Sequence, residues 1–243
     1  MKKIAIMQPT YLPWIGYFAL MAAVDEFILL DDVQFARKSW QQRNRIKGPS
    51  GLVTLTVPVH RTGVLDTPID RVQIDWSSDF AGKHIRTIET AYAEASHFGE
   101  HWTALGQLIG RETPQLADYT IALIERLRSA LGINTTLLRS STLQLSGKRE
   151  GRLVAMCRAR GAGTYVSPMG SHDYLEGSDA FESAGIELLY DNYSHPTYPQ
   201  LHGDFISHLS AVDLLLNCGS SSLEILTRGT RLTPAASIHL STS

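Results

Sequence analysis

Two short apolar runs, Ile4-Ala5-Ile6-Met7 and Phe27-Ile28-Leu29-Leu30, bracket one helix-length apolar stretch from Ile15 to Val24. Both runs break off into polar, aromatic and charged residues. The first ends on Gln8-Pro9-Thr10-Tyr11-Leu12-Pro13-Trp14, the second on Asp31-Asp32-Val33-Gln34-Phe35. Two apolar strands joined by one helix describe a βαβ unit, which commits the chain to a parallel sheet. In open parallel sheets ligands bind outside the carboxyl ends of the strands, where these two polar segments begin.

The 243 residues are 43% hydrophobic and 19% charged with a formal net charge of -2, a profile of one large α/β domain or a domain with an appendage. Such a chain buries a full core without covalent staples. The near-neutral balance argues against nucleic acid as a partner, since phosphate-backbone binding needs a basic excess. Cys157 and Cys218 lack metal-ligand spacing, and both lie in apolar helical contexts, so buried thiols in a reducing compartment are expected. Met1-Lys2-Lys3 followed by apolar residues superficially resembles a secretory signal, but Gln8, Pro9, Thr10 and Pro13 interrupt the roughly 7–15 residue apolar core such a signal needs. With no other stretch of membrane-spanning length, a cytoplasmic protein without membrane insertion is expected.

Further along, residues 52–59 alternate apolar with Thr and predict a strand, with a second at Val72-Gln73-Ile74. From Ala81 to about Arg128 apolar residues recur at spacings of three and four, punctuated by Gly99, Gly110 and Pro114, which predicts a helical layer over about 81–130. Strand signals return at 136–139, 164–167 and 186–190, with helices predicted over 147–160 and 205–217. The fold class expected is α/β, a Rossmann-like parallel sheet with a helical insertion. Residues 1–228 form a single domain in this reading, and 229–243 a tail that frays or packs.

Four clusters carry possible chemistry. In the first, Gln8, Tyr11, Trp14 and Tyr17 offer an amide and flat rings on a loop stiffened by two prolines, with core packing as the alternative for Trp14 and Tyr17. The second is Asp31-Asp32 with Gln34: strand geometry lets at most one of the two carboxylates face the rim, and Asp32 is preferred, Asp31 serving equally well as a cap. The third runs from Arg37 to Lys47 with five cations and no acid; Lys38, Trp40, Arg43, Asn44, Arg45 and Lys47 are its candidate ligand contacts, against the alternative of a solvated face. A weaker phosphate candidate is the strand-to-helix link containing Ser141 and Lys148, where Ser146 also suits as a simple cap. The fourth is the long polar loop 191–205, with His195 and the preferred general-base candidate His202 among nine histidines, followed by Ser210, Asp213 and Asn217 at helical spacing. No Ser-His-Asp, CxxC, HExxH or GxGxxG pattern is present, and the residues name no cofactor and no metal.

The pattern Gln8-Pro-Thr-Tyr-Leu-Pro-Trp-Ile-Gly-Tyr-Phe, Leu30-Asp-Asp-Val-Gln-Phe, Trp40, Arg43-Asn-Arg-Ile-Lys47, Tyr198-Pro-Gln200-Leu-His-Gly and Asp213-Leu-Leu-Leu-Asn217 resembles the WbqC-like family from Lys3 to about Gly219. The chain departs from that pattern at Tyr165-Val-Ser-Pro-Met-Gly, where a more glycine-led turn is expected. Family members are similar to proteins encoded with bacterial O-antigen and other surface-polysaccharide enzymes, which implies work on an activated sugar or its amino group. A fainter likeness links the first βαβ to the HUP class of nucleotidylyltransferases and pantothenate synthetase. Those enzymes grip triphosphate with HxGH, whereas Leu12-Pro-Trp-Ile-Gly-Tyr17 here has no histidine. That speaks against adenylyl transfer and leaves nucleotide binding open.

Together these readings predict a transferase moving an acyl or aminoacyl group from a donor to the amino group of a nucleotide-linked sugar. Tyr11 and Trp14 would stack on base or sugar, Arg43, Arg45 and Lys47 would hold the diphosphate, and Asp32 or His202 would take the amine proton. The rivals are a metal-dependent glycosyltransferase using Asp31-Asp32 and a non-catalytic nucleotide- or glycan-binding protein.

Overall fold

The apolar runs at the N-terminus pair at the centre of the sheet in the computed structural model, which describes residues 1–60 and 66–238. Strands β1 (Lys3–Met7) and β2 (Glu26–Leu29) lie parallel, Ile4 opposite Glu26 and Met7 opposite Leu29, with helix α1 (Ile15–Ala22) crossing between them. The chain then leaves the sheet for an antiparallel hairpin of β3 (Arg43–Gly48) and β4 (Gly51–Thr56). The helical layer follows as α2 (Phe80–Tyr92), α3 (Phe98–Gly110) and α4 (Leu116–Ala130). Strand β5 (Thr136–Arg139) returns beside β2, α5 (Arg149–Ala159) crosses back, and β6 (Thr164–Pro168) pairs on the other side of β1. The remaining elements are α6 (His172–Leu175), β7 (Glu187–Asp191), α7 (Ala211–Cys218), α8 (Ser222–Thr227), β8 (Leu232–Pro234) and α9 (Ala235–Ile238). The sheet order is β5-β2-β1-β6-β7-β8, parallel throughout except that β8 runs antiparallel to β7.

Continuous apolar runs are what a sheet covered on both faces requires, because successive side chains point to opposite sides. Ile4, Ile6 and Ile28 pack with Val154, Met156 and Cys157 of α5. Ala5, Phe27 and Leu29 face the opposite way, into the core shared with α1 and the helical layer. A slip of one residue would exchange the two sets, so the register is fixed by burial on both sides. Asp79 starts α2 by accepting from the Gly82 N–H at 3.1 Å, and Ser210 starts α7 by accepting from the Val212 N–H at 3.3 Å. None of the described helices is long and apolar enough to cross a membrane.

Three local expectations change. Val72-Gln73-Ile74 makes isolated bridges, Val59 to Ile74 and Gln73 to Gln115, and no strand. Its neighbours on either side carry Pro58 and Pro114, which accept from Asp75 and Ile74 but have no N–H to extend a ladder. The helix expected from Phe205 begins only at Ala211, because His208 takes a left-handed φ of 60° and Ser210 supplies the cap. At the other end, Leu232–Pro234, within the expected tail, adds the antiparallel edge strand β8.

His84 gives the fold a measurable pH dependence. It is buried at 6% exposure with Nδ1 2.8 Å from the Tyr11 hydroxyl, and burial pushes its pKa down to about 4. An unfolded histidine titrates near 6.5, so the unfolded chain takes the proton first. The stability contributed by the neutral ring is complete above about pH 6.5 and is lost toward pH 4, by about 3 kcal/mol in full. Denaturant unfolding of wild type and His84→Gln across that window should show a difference that shrinks as the pH falls; a pH-independent difference refutes the assignment.

Candidate functional site

Strands β1 and β6 pair at Lys3–Thr164 and Ile4–Tyr165 only. Beyond that point they splay, and the direction in which the sheet is wound reverses between them. A crevice of about 580 Å³ opens there, bounded by Met7 at the end of β1 and Gln8 after it, Trp40 in the loop after β2, Tyr174 of α6, and Arg149 and Arg152 at the start of α5. Trp40 and Tyr174 leave 48% and 51% of their surfaces open, unusual for large apolar rings. None of the described residues lining the crevice is acidic.

The twin aspartates follow β2, beyond Leu30, and differ in their surroundings. Asp31 is fully buried: its carboxylate accepts from Arg139 Nε at 2.6 Å, the Ser141 N–H at 3.0 Å and the Ser141 hydroxyl at 2.9 Å. Burial alone would raise its pKa, but these donors, the Ser141 N–H foremost, outweigh it and hold the group below the usual carboxylate range. Ser141, a phosphate candidate, therefore spends both donors on Asp31. Asp32 stands at the rim, accepting from the Ser140 hydroxyl and from the guanidinium of Arg152. Both carboxylates are thus engaged by donors of the chain itself. The described residues offer one candidate group of metal ligands, His172, Asp173 and Glu176 on and just after α6, with ligand atoms within 4.8 Å of one another.

A second cavity of about 360 Å³ shares Met7, Thr10 and Trp40 with the crevice and is further lined by Trp14, Asn44, Arg45 and His208. The Trp14 indole stacks on His208 at 5.1 Å and 22°. His195 Nδ1–H donates to the Pro196 carbonyl at 2.9 Å, so its Nε2 accepts from the His208 N–H at 3.1 Å. Burial lowers the pKa of His195, which keeps it neutral in that role. His208 Nδ1 meets the Ser207 hydroxyl at 2.8 Å, and its Nε2 has no partner among the described residues. Its left-handed φ of 60° is the kind of backbone outlier that clusters at functional sites. Asn44 holds the aromatic turn: its Nδ2 donates to the Leu12 and Tyr11 carbonyls at 2.8 and 3.1 Å, across Leu12 at a left-handed φ of 43°.

The other expected site residues lie outside these cavities. Tyr11 is core, its ring stacked on Tyr119 at 6.0 Å, and burial keeps its hydroxyl protonated. Arg43 lies over the Trp40 ring at 5.9 Å. Lys47 points inward and donates to the Gly203 and Asp204 carbonyls at 2.9 and 2.6 Å, with Gln200 Oε1 at 3.4 Å. Gln200 Nε2 reaches Asp213 at 2.8 Å, Asp213 also accepts from Tyr92, and Asn217 donates to the Asp213 carbonyl at 2.8 Å. Burial raises the Asp213 pKa against those donors. Tyr198 is buried against His195 and Phe205. These residues form a staple that pins the 198–206 loop to β3, α2 and α7. His202 Nε2 meets the Ala91 carbonyl at 2.7 Å at the end of α2, away from both cavities. Gln34 donates to Asp66 on the surface, Lys38 is exposed at a left-handed φ of 58°, and Lys148 is exposed just before α5. Residues 8–225 match the family model described as the WbqC-like protein family. A similar protein is Rv1507c of Mycobacterium tuberculosis, itself uncharacterized, 37% identical over 229 residues that cover 93% of this chain and 98% of the relative. No solved structure matches the chain.

The Asn44 clamp sets a stability prediction. Asn44→Ala removes both bonds and strands two buried carbonyls, costing about 2 kcal/mol. Asn44→Asp, which cannot donate, should fare no better. Urea unfolding measures the cost, and tryptophan emission should shift to the red as Trp14 loosens; an unchanged midpoint would refute the role.

Proposed function

The chain belongs to the WbqC-like protein family, and from that premise we propose that it is a transferase of bacterial surface-glycan biosynthesis, moving an acyl or aminoacyl group onto the amino group of a nucleotide-linked amino sugar. The family's likeness to proteins encoded with O-antigen enzymes supports the glycan context. One observation carries the site: a crevice at the splayed β1–β6 edge with two arginines and no described acid in its lining. The parallel strands, taken in chain order, run third-second-first-fourth-fifth across the sheet, which supports a Rossmann-like reading. Folds of that class bind nucleotides at such a reversal.

In this reading the diphosphate lies against Arg149, Arg152 and the first N–H groups of α5, a charge-assisted and dipole-favoured position. Asp32 orients Arg152 and leaves the outer edge of its guanidinium to the ligand. Trp40 and Tyr174 offer flat apolar surface to the base. The diphosphate thus moves from the Arg43–Lys47 tract to α5, and the proton acceptor from Asp32 or His202 to His208, whose Nε2 has no partner among the described residues. The amine nitrogen, as free base, attacks the acyl carbonyl carbon, the bond to the donor's leaving group breaks, and the amine proton passes to His208 Nε2. The substrates are soluble and nucleotide-linked, so we place the reaction in the cytoplasm.

The reading is tested by incubating the protein with nucleotide-linked amino sugars and activated acyl donors and following the mass of the sugar. A nucleotide sugar at a hundred times its dissociation constant should raise stability by about 2.7 kcal/mol. Arg152→Ala should weaken that binding about tenfold. His208→Gln should leave it intact and lower kcat about a hundredfold. Tight nucleotide binding with no product from any donor would sink the transferase and leave a binding protein.

A further inference from the structure

We propose that the smaller cavity is a separate ligand site in which Arg45 receives a carboxylate or phosphate oxyanion. If the transferase reading is right, that oxyanion belongs to the acyl donor; the anion site itself stands on its own geometry.

Arg45 is an unspent cation. Its guanidinium carbon lies 5.2 Å from the Trp40 ring centroid, its Nε is buried without a hydrogen-bond partner, and no carboxylate among the described residues pairs with it. A buried donor left unpaired is costly, and a fork-shaped cation on an aromatic face keeps its outer N–H groups free for a bidentate oxyanion. The backbone is fixed before any ligand arrives: the Arg45 N–H donates to Asn44 Oδ1 at 2.8 Å, and its carbonyl accepts from Ser210 N at 2.8 Å. Trp14 and Trp40 supply apolar walls and His208 a further ring, while no acid is present in the described lining to repel an anion. The cavity holds about 360 Å³, enough for a small acyl group with one charged end. Because Met7, Thr10 and Trp40 border both cavities, a molecule seated here meets one in the crevice past the edge of Trp40.

Calorimetry and tryptophan fluorescence with the full-length protein test this, using N-acetylglycine as a carboxylate, inorganic phosphate as the other oxyanion, and uridine diphosphate for the crevice. At least one small anion should bind and perturb the emission. Arg45→Gln should weaken it about tenfold or more, with phosphate measured while uridine diphosphate already occupies the crevice arginines. Binding of N-acetylglycine identifies a carboxylate; binding of phosphate alone identifies a phosphate. Saturating uridine diphosphate should leave the anion affinity within about twofold, as separate sites require. Arg45→Lys, which keeps the charge and loses the fork, should fall between wild type and Arg45→Gln and guards against a folding defect. The proposal is overturned if neither anion binds, if both Arg45 variants bind as wild type does, or if uridine diphosphate competes. Uridine diphosphate failing to bind while the anion still depends on Arg45 would remove the nucleotide reading and keep this site.

Discussion

Everything at the candidate site follows from the divergence of β1 and β6. Crossovers between parallel strands are right-handed, so a chain that extends its sheet first to one side of β1 and then to the other must place the connecting helices on opposite faces. Here α1 covers one face and α5 the other. Neither helix closes the carboxyl ends where the strands part, after Ile4 and Tyr165. Pro168 ends β6 with no N–H to give, and β1 runs straight into Gln8-Pro9. The crevice is thus a topological consequence of the winding, and the loops after β1, β2 and β6 have only to furnish it.

Asp31 and Asp213 are consumed by structure, while the arginines that line the two cavities are less fully engaged. Asp31 is surrounded by donors and ties the end of β2 to the end of β5. Asp213 and Lys47, both buried, are joined through Gln200 in a network that fixes the long loop before α7. Buried charges of this kind are poor sources of net stability, since desolvation offsets much of the attraction; their value is in fixing one arrangement. Arg152 is half-engaged by Asp32, while Arg149 and Arg45 have no ion-pair partner among the described residues. Arginines thereby line both cavities, and no acid is among the described residues of either lining.

What was legible in the sequence was whatever a repeating pattern or a short-range rule governs. The first βαβ unit and the helical layer both follow from burial on one or both faces. Alternation also placed Arg43, Arg45 and Lys47 on one face, yet it said nothing of the loop 153 to 157 residues away under which Lys47 is buried. Arg152 reads as an ordinary polar helix residue until its pairing with Asp32, 120 residues distant, is seen. His208 was hidden for another reason. Its neighbours carry a helical apolar spacing, and a single left-handed residue has no periodic signature, so the break before Ser210 could not be read. Tyr11 and Trp14 look equivalent on paper; one side chain enters the core against Tyr119 and the other walls a cavity, a difference decided by the twist at Leu12.

Gly16 shows how closely that twist is linked to the site. A Cβ at this position would lie 2.2 Å from the Trp14 ring, so only glycine lets the indole fold back over the first turn of α1. Folded there, Trp14 can stack on His208 and meet the edge of Tyr193 at 5.4 Å, which carries the histidine loop against the aromatic turn. Asn44 holds the same turn from the other side, and the Arg45 carbonyl accepts from Ser210 at the start of α7. The cation, the imidazole and the two indoles of the smaller cavity come from segments nearly two hundred residues apart along the chain. Their relative positions are set by three features of the chain itself: a missing methyl at Gly16, an amide at Asn44 and a backbone bond at Ser210. Rigidity of this kind, supplied by the fold itself, is what allows an unpaired guanidinium to be held ready for an anion, since a flexible one would fold back onto the nearest carbonyl.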